Sequence, residues 1–135
     1  MLKKIEITNF KSFRETTVDF GTLTVLVGTN ASGKSNLRDA LRFLHGVGRG
    51  YHIAEILGGK SGPSSILEWR GIRGGMGEIA YDDSAEFEIR CDMVPSPKAD
   101  PFHNFFRYTI RHPFSRPGAG CDARTRPGRS VRAGR

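Results

Sequence analysis

The stretch that decides the fold is Gly28-Thr29-Asn30-Ala31-Ser32-Gly33-Lys34-Ser35, which matches the pattern G-x-x-x-x-G-K-[ST]. Residues 23–27, just before it, are apolar and mostly β-branched, as is typical of a buried strand. Residues 34–45 place leucines 37, 41 and 44 at helical spacing. A strand, a glycine-rich loop and a helix in this order are the context in which the pattern predicts a phosphate-binding loop. Residues 28–35 are called the phosphate loop below.

Each residue type in the phosphate loop has a chemical reason. Gly28 and Gly33 allow a tight turn whose N–H groups point at the β-phosphate, and the following helix directs its positive end to the same place. Lys34 would bridge the β- and γ-phosphates, and Ser35 would give one hydroxyl ligand to Mg²⁺. The loop therefore predicts ATP and Mg²⁺ as ligands, with Ser35 as the metal ligand. The competing interpretation is a glycine-rich turn with an exposed lysine.

Length and composition favour one cytoplasmic domain. The chain of 135 residues is long enough for a modest core. It has no run of roughly 18 to 20 apolar residues and no signal-peptide core at its start, so we expect no membrane association. Cys91 and Cys121 have no partner spacing typical of zinc or disulfide frameworks, and we expect both to be reduced thiols.

The positive charge is concentrated at the end of the chain. The net charge is +7, but from Arg111 onward there are seven arginines against the single acid Asp122, so residues 1–110 are nearly neutral. We predict a nucleotide-binding lobe over residues 1–111 and a disordered tail rich in Arg, Gly and Pro over residues 112–135. The tail is either a basic arm that binds nucleic acid or a segment without selected function.

Hydrophobic periodicity predicts the remaining elements. Strands are expected at residues 2–9, 16–20, 78–80, 85–93 and 105–111, and short helices at residues 51–57 and 64–69. The glycines of residues 45–50 predict the end of the helix after the phosphate loop. Residues 94–101 are predicted to be a loop, and the acidic pair Asp82-Asp83 a turn.

A second motif lies ahead of the phosphate loop. The run Ile7-Thr8-Asn9-Phe10-Lys11-Ser12-Phe13, followed by the phosphate loop and Asn36, closely resembles the N-terminus of the SMC/RecF-like ATPases, ABC-type enzymes that include many bacterial proteins predicted to be AAA ATPases. The resemblance implies an α/β P-loop NTPase fold, an ABC-ATPase-like N-terminal lobe with a mixed and antiparallel sheet around one P-loop helix. It also implies a nucleotide-binding set made of Lys11, Gly28, Asn30, Ala31, Ser32, Gly33, Lys34, Ser35 and Asn36. From the sequence, Lys11 is equally well explained as a solvated turn residue.

The chain departs from that family in its catalytic parts. It contains no Gln, no apolar strand ending in Asp-Glu (the Walker B acid and general base) and no Ser-Gly-Gly signature. No catalytic residue is therefore identified, and the chain is expected to bind ATP without hydrolysing it. It looks like the N-terminal half of such an ATPase, cut short near residue 111. The resemblance implies a second copy, or the C-terminal half of the same ATPase, as a protein partner, and DNA as a partner of the parent family.

The sequence also bears on two other classes of protein. A small P-loop kinase or GTPase would need a lid with clustered arginines or an Asn-Lys-x-Asp element, and the sequence has neither. A non-catalytic fragment or nucleic-acid-binding module would act through the basic tail.

Overall fold

A computed structural model describes residues 1–82, 84–95 and 106–113 of the protein. The strands of its main sheet are β1 (Leu2–Phe10), β2 (Phe13–Asp19), β5 (Glu86–Met93) and β6 (Phe106–Pro113). They are antiparallel and lie in the order β2-β1-β5-β6. The central pair, β1 and β5, is therefore contributed by segments far apart in the chain.

Alternation along these strands separates a buried face from a charged one. Ile7 pairs with Ile89 and Ile89 pairs with Ile110, so three buried isoleucines form one row across the sheet. The neighbouring positions carry acids and arginines that face the other way, as period-2 alternation requires. Glu86 and Arg90 of β5 are exposed, whereas Glu88 and Asp92 are buried, so the charged face of this strand is only partly open to solvent.

One long helix covers the buried face. Helix α1 (Lys34–Gly48) is amphipathic and buries Leu37, Ala40 and Phe43 in the core. Phe43 meets Phe10 and Phe87 edge to face, with ring centroids 6.4 and 5.4 Å away. Such aromatic pairs stabilise by about 0.5–1.5 kcal/mol each beyond their buried area, so they fix α1 on the sheet.

Short elements follow α1. They are the helix α2 (Ile53–Gly58), a two-stranded ribbon of β3 (Lys60–Ser61) and β4 (Leu67–Trp69), and a 3-10 helix (Gly75–Glu78). The prediction of a helix at residues 51–57 is confirmed. The helix predicted at residues 64–69 is wrong, because Trp69 pairs with Lys60 in the ribbon instead. The strand predicted at residues 78–80 is also wrong: only Ala80 makes a single bridge, to Phe10.

The bounds of the other elements shift by a few residues. Strand β2 begins at Phe13, three residues before the predicted start, because Lys11 and Ser12 alone form the turn from β1. Helix α1 ends at Gly48, within residues 45–50, where its end was predicted. Strand β6 ends at Pro113, two residues into the segment predicted to be tail. Residues 83, 96–105 and 114–135 lie outside the described residues, and with them most of the predicted loop at 94–101, most of the tail, and Cys121.

The strand predicted over residues 23–27 is absent from the described structure. The segment forms no ladder, and Leu23, Val25 and Val27 are 82%, 70% and 88% exposed. A strand requires a hydrogen-bonded neighbour, and no described strand lies beside this segment. The prediction of a buried strand at residues 23–27 is therefore wrong for the described structure. None of the described helices combines the length and the apolar composition needed to cross a membrane.

Candidate phosphate-binding site

The phosphate loop leads directly into the first turn of α1. Gly33 is the N-cap residue and adopts φ 88°, in the left-handed region that favours glycine. The N–H groups of Asn36 and Leu37 both donate to the Gly33 carbonyl, at 2.9 and 3.0 Å. Ala31 also has a positive φ, 66°, so the loop holds two left-handed residues close together. This conformation leaves residues 28–32 exposed.

Lys34 folds back over the loop. Its Nζ donates to the Gly28 and Thr29 carbonyls, at 2.6 and 2.5 Å, and to Ser32 Oγ at 3.0 Å. The ammonium group is thereby held at the mouth of the loop by neutral acceptors. A phosphate oxygen is a stronger acceptor for an ammonium than a carbonyl is, because the bond is then charge-assisted on both sides.

The start of α1 is open to an anion. It has no side-chain cap and no acidic residue in its first turn. The free N–H groups and the helix dipole therefore favour a negative group at this point. At Gly28 an added Cβ would come within 2.7 Å of Ser32 Oγ, so only glycine leaves the loop its present path.

Ser35 meets the requirement for a magnesium ligand only in part. It is exposed on the first turn of α1, and its hydroxyl is of the hard oxygen type that Mg²⁺ prefers. The described residues contain no group of three or more His, Cys, Asp or Glu that could bind a metal. Because Mg²⁺ at such loops binds mainly through phosphate oxygens and water, one hydroxyl fits the donor set.

The structure places the predicted site residues in two groups. Gly28, Asn30, Ala31, Ser32, Gly33, Lys34 and Ser35 form the loop and the start of α1. Lys11 and Asn36 lie beneath it. Asn36 Nδ2 donates to Ser12 Oγ at 2.6 Å, and Lys11 Nζ donates to the Arg73 carbonyl at 2.6 Å and lies 3.2 Å from Asp39 Oδ2. The turn between β1 and β2 is therefore packed against the first turn of α1.

Two further residues beside Lys11 and Asn36, namely Asp39 and Arg73, were not predicted from the sequence. Asp39 is completely buried on α1, and Arg73 donates to it through Nε and Nη2, at 3.1 and 2.9 Å. The available signal for Asp39 was an acid set among the inward-facing positions of α1, next to Ala40. Arg73 lies in a glycine-rich connection, and its pattern gives no signal at all.

His52 and Trp69 have structural roles. The backbone N–H of His52 donates to Glu55 Oε2 at 2.9 Å. This hydrogen bond is part of the N-terminal capping box of α2. Trp69 is buried and its Nε1 donates to the Ile56 carbonyl at 3.1 Å. Phe10 is fully buried and Phe13 is packed at the edge of the core, so both contribute to packing.

A cavity of about 450 Å³ lies at the other end of α1. It is lined by the apolar side chains of Leu41, Leu44 and Val47 from the helix, facing Cys91 and Tyr108 of the sheet. Cys91 is a free thiol, and burial raises its pKa. The phosphate loop is at the start of this 15-residue helix, so these helix residues lie roughly 10–20 Å along the axis from it, and the cavity is not part of the phosphate site.

The fold and the loop define a class of protein: the chain is a P-loop NTPase in which an antiparallel sheet packs on the helix that follows the loop. A solved structure described by the words "structural biochemistry of ATP-driven dimerization and DNA stimulated activation of SMC ATPases" has this fold, with a TM-score of 0.52 and 23% identity, over 83% of this chain and 63% of that one. The model of the family described as AAA ATPase domain matches residues 1–89. The chain belongs to that family.

Curated relatives are similar to part of this chain. The chain is 50% identical to the chromosome partition protein Smc of Methanocaldococcus jannaschii over 46 residues, which cover 33% of this chain and 4% of that protein. It is 38% identical to structural maintenance of chromosomes protein 1 of Saccharomyces cerevisiae over 82 residues, 58% of this chain and 6% of that one. It is 43% identical to an ATP/GTP phosphatase of Helicobacter pylori over 53 residues, 38% of this chain and 14% of that one. The chain thus spans a small part of the length of these relatives.

Proposed function

We propose that the chain binds Mg-ATP through the phosphate loop, as the nucleotide-binding lobe of an SMC-like ATPase. Residues 1–111 form this lobe in the proposal, with Gly28, Asn30, Ala31, Ser32, Gly33, Lys34, Ser35 and Asn36 around the phosphates and Lys11 beneath them. The observation that carries the proposal is the uncapped, acid-free start of α1 with the Lys34 ammonium held at the loop mouth. A cytoplasmic location, where Mg-ATP is available, is part of the same proposal.

When bound, Mg²⁺ would neutralise charge on the β- and γ-phosphates, with Ser35 as its protein ligand. The chain's own residues bind and orient: the backbone N–H groups at the start of α1 receive phosphate oxygens, and Lys34 leaves the Gly28 and Thr29 carbonyls to bridge two phosphates. Hydrolysis also needs a group that orients and activates water, and the sequence offers neither the Gln nor the Asp-Glu pair of the family it resembles. We therefore propose binding without appreciable turnover by this chain alone.

Titration with a fluorescent ATP analogue tests the proposal. Lys34→Ala is expected to weaken Mg-ATP binding by at least about tenfold, because it removes a charge-assisted contact to two phosphates. Lys3→Ala is the matched control, since Lys3 is an exposed lysine of β1. Equal affinities in all three proteins would support the glycine-rich turn. Steady phosphate release by the purified chain that disappears in Lys34→Ala would show that the chain hydrolyses ATP unaided.

Nucleotide choice separates this proposal from a kinase or GTPase. ATP is expected to displace the analogue at least as well as GTP, because no guanine-reading Asn-Lys-x-Asp element is present in the sequence. A strong preference for GTP would favour the other class.

Protein association is the second part of the proposal. The SMC ATPases of the solved structure are described with ATP-driven dimerization and DNA-stimulated activation. By analogy, we propose that this lobe pairs with a second copy or with a C-terminal half of the same ATPase, and that DNA is a partner of the assembly. Light scattering with and without Mg-ATP, on the parent and on Lys34→Ala, measures whether association depends on the nucleotide. A monomer mass in all four samples would contradict the dimer, and a dimer mass in all four would contradict its dependence on the nucleotide.

A further inference from the structure

Beneath the phosphate loop lies a compact ionic cluster, called here the Asp39 cluster, made of Lys11, Ser12, Asn36, Asp39 and Arg73. Asp39 Oδ2 accepts hydrogen bonds from Nε and Nη2 of Arg73, at 3.1 and 2.9 Å. It also forms an ion pair with Lys11 Nζ at 3.2 Å. Arg73 Nη2 also donates to Asn36 Oδ1 at 3.3 Å. One carboxylate oxygen on α1 therefore binds side chains from two other segments of the chain, the turn between β1 and β2 and the connection that follows β4.

The burial of the cluster is costly, which argues for a role beyond stability. Asp39 is fully buried and the Lys11 side chain is 7% exposed, whereas the Arg73 side chain is 51% exposed. The second oxygen, Asp39 Oδ1, has no hydrogen-bond partner among the described residues. A buried ion pair is weak evidence for stabilisation, because desolvation of the two charges offsets much of their attraction. Two cations against one carboxylate also leave a net positive charge under the loop.

Lys11 is held in a strained backbone conformation within this cluster. It has φ 52° in the two-residue turn between β1 and β2, where glycine would fit more easily. Its N–H donates to the Ile79 carbonyl at 2.8 Å, and its Nζ holds Asp39 and the Arg73 carbonyl. Strain of this kind persists only where the surroundings determine the conformation, and it is concentrated at functional sites.

The cluster touches the phosphate loop at two points. Asn36, which follows Ser35 on α1, is bound on one side by Ser12 Oγ and on the other by Arg73. Ser12 Oγ would be 3.8 Å from a Cβ added at Gly33, and the ring of Phe13, the first residue of β2, would be 3.0 Å from it. The cluster thus sets the rotation of the first turn of α1, and with it the direction of the N–H groups and of Ser35.

We propose that Asp39 and Arg73 are positioning residues for the phosphate loop: Asp39 holds Lys11 and Arg73, and Arg73 holds Asn36 and the first turn of α1 in the orientation that binds phosphate. The proposal rests on the proposed function, because it concerns how well the same loop binds Mg-ATP. It assigns Lys11 an indirect role through Asp39, whereas the resemblance implied a basic residue in the nucleotide-binding set.

The test is Mg-ATP affinity in full-length variants of the cluster. Arg73→Ala and Asp39→Asn are each expected to weaken binding about tenfold, the size of coupling found between residues of one ionic network. Arg73→Lys is expected to regain part of the affinity, because an ammonium can still reach Asp39 but cannot bind Asn36 as well. The double variant is expected to lose little more than either single one, since both changes break the same contact.

Arg38→Ala is the matched control. Arg38 is an exposed arginine on the same first turns of α1 and forms no ion pair with a described residue, so its removal subtracts the same charge without touching the cluster. Affinity lost equally in Arg38→Ala and Arg73→Ala would overturn the proposal in favour of a general charge effect. Unchanged affinity in Arg73→Ala, with or without a lower unfolding temperature, would also overturn it and show a merely structural ion pair.

The two proposals fail differently. If the parent binds Mg-ATP and Lys34→Ala does not, the proposed function stands, and the Arg73 series alone decides the positioning role. If Lys34→Ala binds as the parent does, both proposals are overturned. Arg73 is half exposed, so Arg73→Ala decides the question even if the buried Asp39→Asn variant does not fold.

Discussion

At the residue scale, two glycines near the end of α1 show how little the residue type alone reveals. Both contributed to the predicted stop at residues 45–50, yet the helix passes through them to Gly48. Gly46 is in the core, where an added Cβ would come within 2.7 Å of Ile56 Cγ1, whereas at Gly48 it would meet nothing within 4 Å. Gly46 is thus required by the close approach of α2, and not by the end of the helix.

These contacts predict opposite effects for the same substitution. Gly46→Ala is expected to destabilise by about 1–3 kcal/mol, because Ile56 must move inside a packed core. Gly48→Ala is expected to be neutral or to stabilise by up to about 1 kcal/mol, since alanine restricts the unfolded chain and has open space. Urea denaturation of the two variants measures the difference. Equal losses of stability would mean that α2 does not pack against Gly46 as described.

The residues of the candidate site divide in the same way between local and distant causes. The loop from Gly28 to Ser35 could be predicted because its chemistry lies in consecutive residues. Asp39 and Arg73 could not, because their pairing joins positions 34 residues apart and depends on the path of the intervening chain. Lys11 was identified only through the family resemblance. Its contacts with Asp39 and the Arg73 carbonyl join distant segments, so no local sequence pattern predicts them.

At the scale of elements, local sequence signals predicted β1, α1, α2, β5 and β6. They gave wrong predictions where strand pairing determines the secondary structure. Residues 64–69 combine Ser, Ile, Leu and Trp in a way that a short helix also tolerates, but the antiparallel contact with Lys60 makes β4 a strand. Residues 23–27 have a strong strand composition and no described neighbour to pair with. Strand formation is a property of two segments, so composition predicts only the capacity for it.

The exposed apolar segment at residues 23–27 predicts self-association of the chain. Exposed apolar surface of this kind, with unpaired backbone groups, favours contacts between molecules. Val25→Lys with Val27→Lys is expected to shift the protein toward monomer in light scattering at high concentration, with little change in unfolding temperature. Ile66→Lys with Leu67→Lys is the control, as these are two exposed apolar residues of the ribbon region. Association that responds only to the control would place the contact surface elsewhere.

The charged face of the main sheet predicts a loss of stability in acid. Arg107 of β6 donates two hydrogen bonds to Asp92 of β5, at 2.8 and 3.0 Å, and these lower the pKa of Asp92 below its ordinary value. A lowered folded-state pKa adds stability above the ordinary value of about 3.9, and this is lost as the pH falls through the folded-state pKa. Asp92→Asn should therefore be less stable than the parent at neutral pH, with a difference that shrinks toward low pH.

Thermal unfolding between neutral pH and about pH 3, in the region of the ordinary Asp value, measures this difference. Glu15→Gln is the control, because Glu15 is exposed on the edge strand β2 and pairs with no cation of the described residues. A gap between Asp92→Asn and the parent that stays constant with pH would contradict the charge-based explanation.

At the scale of the whole molecule, the sequence of residues 114–135 is strongly basic and the rest of the chain is nearly neutral. The described lobe pairs most of its sheet charges, including Arg111, whose Nε donates to Glu88 at 2.8 Å. Of the seven arginines from position 111 onward, six therefore belong to residues 114–135, which hold the single acid Asp122. If this segment binds duplex DNA, neutralising up to six phosphates gives a slope of log K against log salt no steeper than about −5.

Removal of residues 114–135, which leaves β6 intact, is expected to abolish most binding to duplex DNA at moderate salt and to leave Mg-ATP affinity unchanged. Fluorescence anisotropy with labelled duplexes of different sequence, over a series of salt concentrations, measures both the slope and the lack of sequence preference. The shortened chain must keep the unfolding temperature of the parent for the comparison to hold. DNA binding that survives the removal with the same slope would assign the interaction to the lobe, whose near-neutral net charge makes it a poor general ligand for phosphate backbones.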